Sequence, residues 1–565
     1  MKLFKKIFSP GVVFFFFLAS ILLPNIILSF TERMSIGGRL SNVLLPLGVY
    51  YLLMTLSRNL PRTILLMFPF AFFAAFQIVL LDLYGRSVIA VDMFLNLVTT
   101  NPGEVGELLG NMLPAILFVI VVYLPPIVWS IVCLVRKTGL LSEGWLHLNR
   151  RLGTLATTLG MFTIVTTMAA DNRYHLRNDL YPANVLYNLG LAVERTADFR
   201  DYDANVADFR YDARSTRPDS LRQVYVLVIG ETCRANNWSL FGYDRETTPR
   251  LSRRSGLTAF RDVLSESNTT HKSVPLMMTP LNAEEFDSLN YTKSVITAFK
   301  EAGFSTAAFS NQERNHSYID RFLEEADTTL FIKEDPRFTA GGAPQDERLL
   351  DCLDGVLANR NTRQLIVLHT YGSHFNYADR YLPLFSFFRP TDNMEAVPSN
   401  RASLVNAYDN SIRSTDAFLD DVIARLDALP GVAASVIFTS DHGEDIYDDR
   451  RELFLHASPC PSIYQIYVPL LAWTSDTFRS LFPEKTEALR TNADRPVSSS
   501  NAVFHTLLDL AGIEAGRLDL RRSVASRSFT PHPRCYLNDH NEAVTLTDAG
   551  FLPEDFAEMK RLRLH

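Results

Sequence analysis

Cysteine is scarce, at five in 565 residues. Cys133, Cys233, Cys352, Cys460 and Cys535 make no Cys-x-x-Cys pair and no zinc-finger spacing, so any metal must use other ligands. One or two disulfides among the last four stay open, with no pairing deducible. Net positive charge is also lacking beyond residue 170. Residues 1–170 carry 12 Lys and Arg against 6 Asp and Glu, a net of +6; the remainder carries 43 against 56, a net of −13. So acidic a C-terminal part argues against nucleic-acid binding. Internal repeats and low-complexity runs are absent. At 47% hydrophobic and 21% charged residues the chain is not disordered.

Charge is missing altogether from five stretches: Gly11–Phe30, Leu40–Ser57, Thr63–Leu81, Asn111–Val135 and Leu152–Ala170. Each approaches the roughly 20 residues that cross a bilayer core as a helix, so five transmembrane helices are expected. Lys2, Lys5, Lys6, Arg58, Arg62, Arg136, Lys137, Arg150 and Arg151 fall on one side, and Arg33, Arg39 and Arg86 on the other. That asymmetry places the N-terminus in the cytoplasm and everything after Asp171 outside. No clean small-x-small cleavage site follows the first stretch, which therefore reads as a retained anchor. The expected division is a membrane domain over 1–171, a bridge over 172–222, helical around Ala183–Thr196, and an outer domain over 223–565.

Beyond the bridge the pattern changes. Gln223–Gly230 is a short β-branched run, and similar runs lie at Thr306–Ser310, Gln364–Thr370, Ser435–Ser440 and Pro469–Trp473. Helical stretches separate them, including Thr292–Glu301, Asn406–Leu429 and Asn501–Ala511, the last closed by Gly512. This rhythm predicts a mostly parallel α/β sheet covered on both faces. Sites in such sheets gather beyond the carboxyl ends of the strands. Glu231 follows the first run, His369 and His374 mark the third, and Asp441-His442-Gly443-Glu444 follows the fourth.

Two carboxylates and an imidazole suit Zn²⁺ or, second, Mn²⁺, with a position left for chemistry. Asp441 and His442 share one ion if the backbone turns there, which Gly443 permits. Group transfer needs a nucleophile, and the segment SESNTTHKSVP offers Ser267, Thr269, Thr270 and Ser273 without choosing among them. Cys233 is a rival that lacks a neighbouring histidine in the sequence.

The stretch VLVIGETCRANNWSLFGYDRETTPRL, Thr270 five residues before Pro275, SDHGE, and FLHASP together resemble the phosphoethanolamine transferases that modify lipid A, a family that includes polymyxin-resistance enzymes. The resemblance covers nearly the whole chain. It implies five membrane helices and an α/β periplasmic domain of alkaline phosphatase/sulfatase type, in the bacterial inner membrane. It implies Glu231, Asp441 and His442 as zinc ligands, and Thr270 as the nucleophile that also coordinates zinc. His374 and His456 match histidines that contact the phosphate or a second metal. NLVTTNPGE resembles a stretch facing the donor lipid and offers Asn96, Thr100 and Glu104. The implied donor is phosphatidylethanolamine; the acceptor is lipid A or another envelope glycan. Where many members have a disulfide around the nucleophile loop, this chain has Glu266 and Leu276.

Two other readings stand beside it. A phosphoglycerol transferase of the lipoteichoic-acid type joins the same parts. A degenerate membrane sensor or scaffold keeps the fold without the chemistry. A formylglycine sulfatase is disfavoured because no cysteine opens a Cys-x-Pro-x-Arg segment.

Overall fold

The computed structural model describes residues 9–32, 34–85, 87–99, 113–171, 174–340, 345–359 and 361–565. They pack as two compact units, one of the described residues up to Val98 together with 113–196, the other containing Ala197–His565.

In the first unit helices occupy all five uncharged stretches. They are α1 (Pro10–Thr31), α2 (Ile36–Met54), α3 (Leu60–Leu66) continued by α4 (Phe68–Tyr84), α6 (Leu113–Val135) and α7 (Glu143–Ala170); the short α5 (Val91–Thr99) lies between α4 and α6. Among the described residues α1, α6 and α7 are long and apolar enough to cross a membrane, and α3 with α4 adds a fourth if that bent pair is one span. Apolarity and length among the described residues therefore support three or four spans of the five expected. The third stretch is broken by 56° between α3 and α4. Pro69, in the first turn of α4, has no N–H to continue the α3 hydrogen bonding and crowds the preceding turn. The second stretch forms the 19-residue α2, which carries Arg39, Asn42 and three glycines. Its small residues serve packing. A Cβ on Gly48 would lie 2.3 Å from the Thr157 amide nitrogen, and one on Gly160 2.5 Å from Leu45 Cα, so α2 and α7 meet backbone to backbone. Asn25 of α1 and Asn42 of α2 each donate a side-chain N–H to the other's backbone carbonyl, at 2.8 and 3.1 Å, which ties the two helices together.

The second unit is built on a seven-stranded sheet: β1 (Gln223–Gly230), β2 (Leu257–Phe260), β3 (Ser305–Ser310), β4 (Thr328–Phe331), β5 (Arg363–His369), β6 (Ala433–Ser440) and β7 (Leu470–Thr474), in the order β2-β7-β6-β1-β5-β3-β4. The five strands expected from the sequence are present, and all pair in parallel except β7, which is antiparallel to both neighbours. β1 is buried along its whole length, as expected of a central parallel strand with both faces covered. The helices that matter for the site are α8 (Thr270–Met278), α9 (Arg401–Asp427) and α10 (Ser499–Ala511). α8 packs on α10, with Val274 and Met277 in the same core as Val503 and Leu507. Gly512 ends α10 at φ +63°, the left-handed closure its position predicts.

The segment read as a bridge does not end at residue 222 as a separate element. Arg214–Ser215 pairs antiparallel with Ile513–Glu514, and the buried Tyr211 donates its hydroxyl to the Lys293 carbonyl at 2.5 Å. Both belong to the second unit.

Candidate metal centre and nucleophile

The register of two central strands brings the site together. Gly230 at the end of β1 pairs with Ser440 at the end of β6, so Glu231 and Asp441-His442 leave the sheet side by side. On the other flank of β1, Ile229 pairs with His369, which delivers the loop running to His374. Each loop then has backbone groups of its neighbour to bond: Ser373 N–H donates to the Glu231 carbonyl at 2.9 Å, and Thr232 N–H donates to Asp441 Oδ1 at 3.0 Å.

Glu231, Asp441 and His442 are buried and offer ligand atoms that all lie within 4.8 Å of one another. His442 Nε2 is 3.2 Å from Asp441 Oδ2 and 3.6 Å from Glu231 Oε1. The other ring nitrogen, Nδ1, donates to the Gly443 carbonyl at 2.9 Å, which fixes the tautomer and leaves the Nε2 lone pair facing the two carboxylates. Burial pushes the His442 imidazole down to about 4, so it is neutral, as a ligand must be. Asp441 Oδ2 is buried and accepts no hydrogen bond from the described residues. An unsatisfied buried carboxylate oxygen is costly, and a cation removes that cost. The donor set, two carboxylates and one imidazole, fits Zn²⁺.

Of the four hydroxyls in the nucleophile loop, Thr270 is the one turned to this cluster. Its Oγ1 lies 3.4 Å from each Glu231 carboxylate oxygen and 3.2 Å from His442 Nε2. The others are engaged within their own loop: Ser267 and Thr269 pair at 3.1 Å, and Ser273 donates to the Thr269 carbonyl at 2.9 Å. Thr270 is also the first residue of α8, at the positive end of the helix dipole, where anionic groups are favoured. Cys233 is excluded as nucleophile. It is buried against the Ser373 hydroxyl at 3.3 Å, and burial pushes its thiol up to about 12.

His374 and His456 are part of the same assembly. The His456 ring lies 4.2 Å from that of His442, and the His374 ring 5.8 Å from that of His456, between centroids. Burial pushes both below the ordinary histidine range, His456 to about 4. Asn96 lies in α5, but its side chain lies outside the described residues, as do Thr100 and Glu104 altogether.

Some contributors escaped the sequence reading. Gln312 donates Nε2 to Glu231 Oε2 at 3.1 Å and to the Thr370 carbonyl at 2.9 Å, orienting the carboxylate. Glu444 is buried with Oε1 3.7 Å from His456 Nδ1, and burial pushes its carboxyl up to about 8. Its place in SDHGE was visible but carried no role. Gly443 also gives clearance: without a left-handed backbone, a Cβ there would lie 2.3 Å from the Tyr464 carbonyl oxygen and 2.7 Å from Arg234 Cβ.

A buried site of this composition at the carboxyl end of a central strand pair narrows the possible relatives. The sulfatase family profile matches residues 223–513, more than half of the chain. The chain belongs to the sulfatase family. Within it the similarity is to phosphoethanolamine transferases, as the motifs indicated. The Kdo(2)-lipid A phosphoethanolamine 7''-transferase of Escherichia coli strain K12 is 31% identical over 312 residues, 53% of this chain and 53% of that protein. The chain thus spans about half the length of the first curated relatives it matches. The C-terminal periplasmic domain of EptC from Escherichia coli, solved in complex with Zn, is 26% identical with a TM-score of 0.53, covering 59% of this chain and 95% of that one. The integral membrane lipooligosaccharide phosphoethanolamine transferase A of Neisseria meningitidis has the same fold, with a TM-score of 0.69 over 92% of this chain and 97% of that one at 23% identity.

Proposed function

We propose that this protein is a multi-pass enzyme of the bacterial inner membrane that transfers phosphoethanolamine from phosphatidylethanolamine to lipid A or another envelope glycan in the periplasm. The observation that carries the reading is the position of Thr270 Oγ1, 3.2 Å from His442 Nε2 and 3.4 Å from both Glu231 oxygens at the start of α8. The names of the relatives, and the zinc bound by one of them, support it.

Glu231, Asp441, His442 and Thr270 would hold Zn²⁺. The ion supplies Lewis acidity there, lowering the pKa of a hydroxyl and stabilising charge on phosphate oxygens. Thr270 Oγ forms a bond to the donor's phosphorus while the bond to the diacylglycerol oxygen breaks. The Thr270 hydroxyl releases its proton to solvent, and the departing diacylglycerol alkoxide takes up one from solvent, so the step is proton-neutral. His456 and His374, kept neutral by burial, sit in the same ring cluster as His442, where they would contact the phosphate. An acceptor oxygen then bonds to the phosphorus of the threonine diester and Thr270 Oγ leaves, regaining its proton. The α8 N-terminus favours the phosphate throughout. Adding an ammonium group lowers the negative charge of the acceptor, which weakens its attraction for cationic peptides such as polymyxin.

Incubating the protein with phosphatidylethanolamine and mapping modified peptides by mass spectrometry tests the proposal. Phosphoethanolamine is expected on Thr270 and absent from a Thr270→Ala protein. Transfer that persists in Thr270→Ala refutes the assignment.

A further inference from the structure

Thr232, the residue directly after Glu231, has φ +59°. That is the left-handed region, which a β-branched side chain rarely adopts because its Cβ crowds the following carbonyl. Glycine takes it freely, so a threonine here must be held by its surroundings.

From that conformation Thr232 reaches both carboxylates of the candidate metal cluster. Its N–H donates to Asp441 Oδ1 at 3.0 Å, and its hydroxyl donates to Glu231 Oε1 at 2.8 Å. Two candidate ligands from the ends of two strands are thus oriented by one residue. Asp441 Oδ1 also accepts the His442 N–H at 2.7 Å, which leaves Oδ2 as the oxygen without a hydrogen bond among the described residues.

The group that holds Thr232 comes from α9. Tyr408 is fully buried, and its hydroxyl donates to the Thr232 carbonyl at 2.6 Å. The same oxygen accepts the Arg234 N–H at 2.9 Å. One phenol therefore brackets Cys233 from both sides, using its single donor and an acceptor position. Between these contacts the Cys233 N–H donates to Ser440 Oγ at 2.8 Å, which pins the turn to the end of β6. The Tyr408 ring is fixed independently of its hydroxyl. Tyr377 meets it edge to face at 5.1 Å, and the Arg234 guanidinium carbon lies 5.5 Å from its centroid. Removing the oxygen alone leaves that packing in place.

We propose that Tyr408 is a positioning residue. Its hydroxyl holds Thr232 in the left-handed conformation, and through Thr232 it sets the directions of the Glu231 and Asp441 carboxylates. The inference rests on the metal-dependent transferase reading and adds to it the residue that aligns the ligand pair.

The test compares zinc affinity, by competition with a chromogenic chelator, and thermal midpoint in the full-length protein in detergent. Tyr408→Phe is expected to weaken zinc binding by about 10–100-fold, the usual effect of losing an outer partner of metal ligands. Thr232→Gly supplies the discriminating background. Glycine needs no support at φ +59°, so adding Tyr408→Phe to Thr232→Gly should change zinc affinity by about twofold at most. A merely structural role of the hydroxyl would lower the thermal midpoint without moving zinc affinity, or would cost the same affinity in both backgrounds; either result overturns the inference. Should Tyr408→Phe alone fail to fold, the double variant decides. It should fold and match Thr232→Gly in zinc affinity, and a double variant that is unfolded or binds zinc more weakly overturns the inference. The transferase reading is judged separately, by phosphoethanolamine labelling of Thr270 in the unsubstituted protein. If labelling is absent while the zinc pattern holds, that reading fails and the role of Tyr408 stands; an unsubstituted protein that binds no zinc refutes both.

Discussion

Gly372 and Glu231 are in backbone contact: a Cβ on Gly372 would lie 2.4 Å from the Glu231 carbonyl oxygen and 2.9 Å from its amide nitrogen, and Gly372 has φ +51°. The loop after β5 thus closes on the residue that offers a carboxylate to the candidate metal cluster. Gly372→Ala must push the two backbones apart and strain its own. We expect it to lower stability by about 1–3 kcal/mol and to reduce bound zinc and activity together. Metal content by elemental mass spectrometry and thermal unfolding of the purified protein check this; full zinc occupancy in a stable variant would contradict it.

Removing the ion should loosen the second unit, because its buried carboxylates are left facing each other. Chelation is expected to lower the thermal midpoint, and zinc added back should restore it. An ion at about a thousand times its dissociation constant contributes roughly 4 kcal/mol. Asp441→Asn should abolish most of the difference between the chelated and zinc-loaded protein, since it removes the ligand oxygen that otherwise has no partner.

Gln312→Leu keeps the bulk of the side chain and removes the N–H donated to Glu231 Oε2. Outer partners of metal ligands typically alter affinity or activity by about 10–100-fold. We expect weaker zinc binding in that range, measured by competition with a chromogenic chelator, while Gln312→Glu places a like charge against Glu231 and weakens it further.

His505, outside the candidate metal cluster, gives a pH signature of its own. It is buried in α10, its Nδ1 accepts the Asp519 N–H at 3.1 Å, and burial together with the Arg522 charge pushes it down to about 4. The unfolded chain binds its proton near 6.5 and the folded chain only near 4, so the unfolded state gains protons first as pH falls. Stability is therefore complete above about pH 6.5, declines between 6.5 and 4, and levels below 4. Denaturant titrations across that window should show a smaller slope in His505→Phe than in the parent; identical slopes would exclude His505 as the source.

Some of this was legible in the residues and some was not, for physical reasons. The five inner strands could be read because burial on both faces demands uninterrupted β-branched runs, as in QVYVLVIG. β2 and β4 were missed because they are four-residue edge strands, mostly half-exposed, with no such demand on composition. Glu231, Asp441 and His442 stood out as polar residues at the ends of apolar runs. Gln312 did not, because a neutral amide near a strand end reads as a loop residue until its partner is known. Gly372 and Gly443 act through space they leave empty, which a sequence does not display. Freedom from charge alone does not record the Pro69 at the bend between α3 and α4 or the glycines and Asn42 that lower the apolarity of α2.

The register between β1 and β6 also separates the candidate metal seat from its surroundings. Glu231 and Asp441 inherit their mutual placement from adjoining rods in the sheet's interior, and the long tract of chain between them supplies the surrounding walls. A change in those walls would alter what can approach the three candidate ligands without moving the ligands themselves.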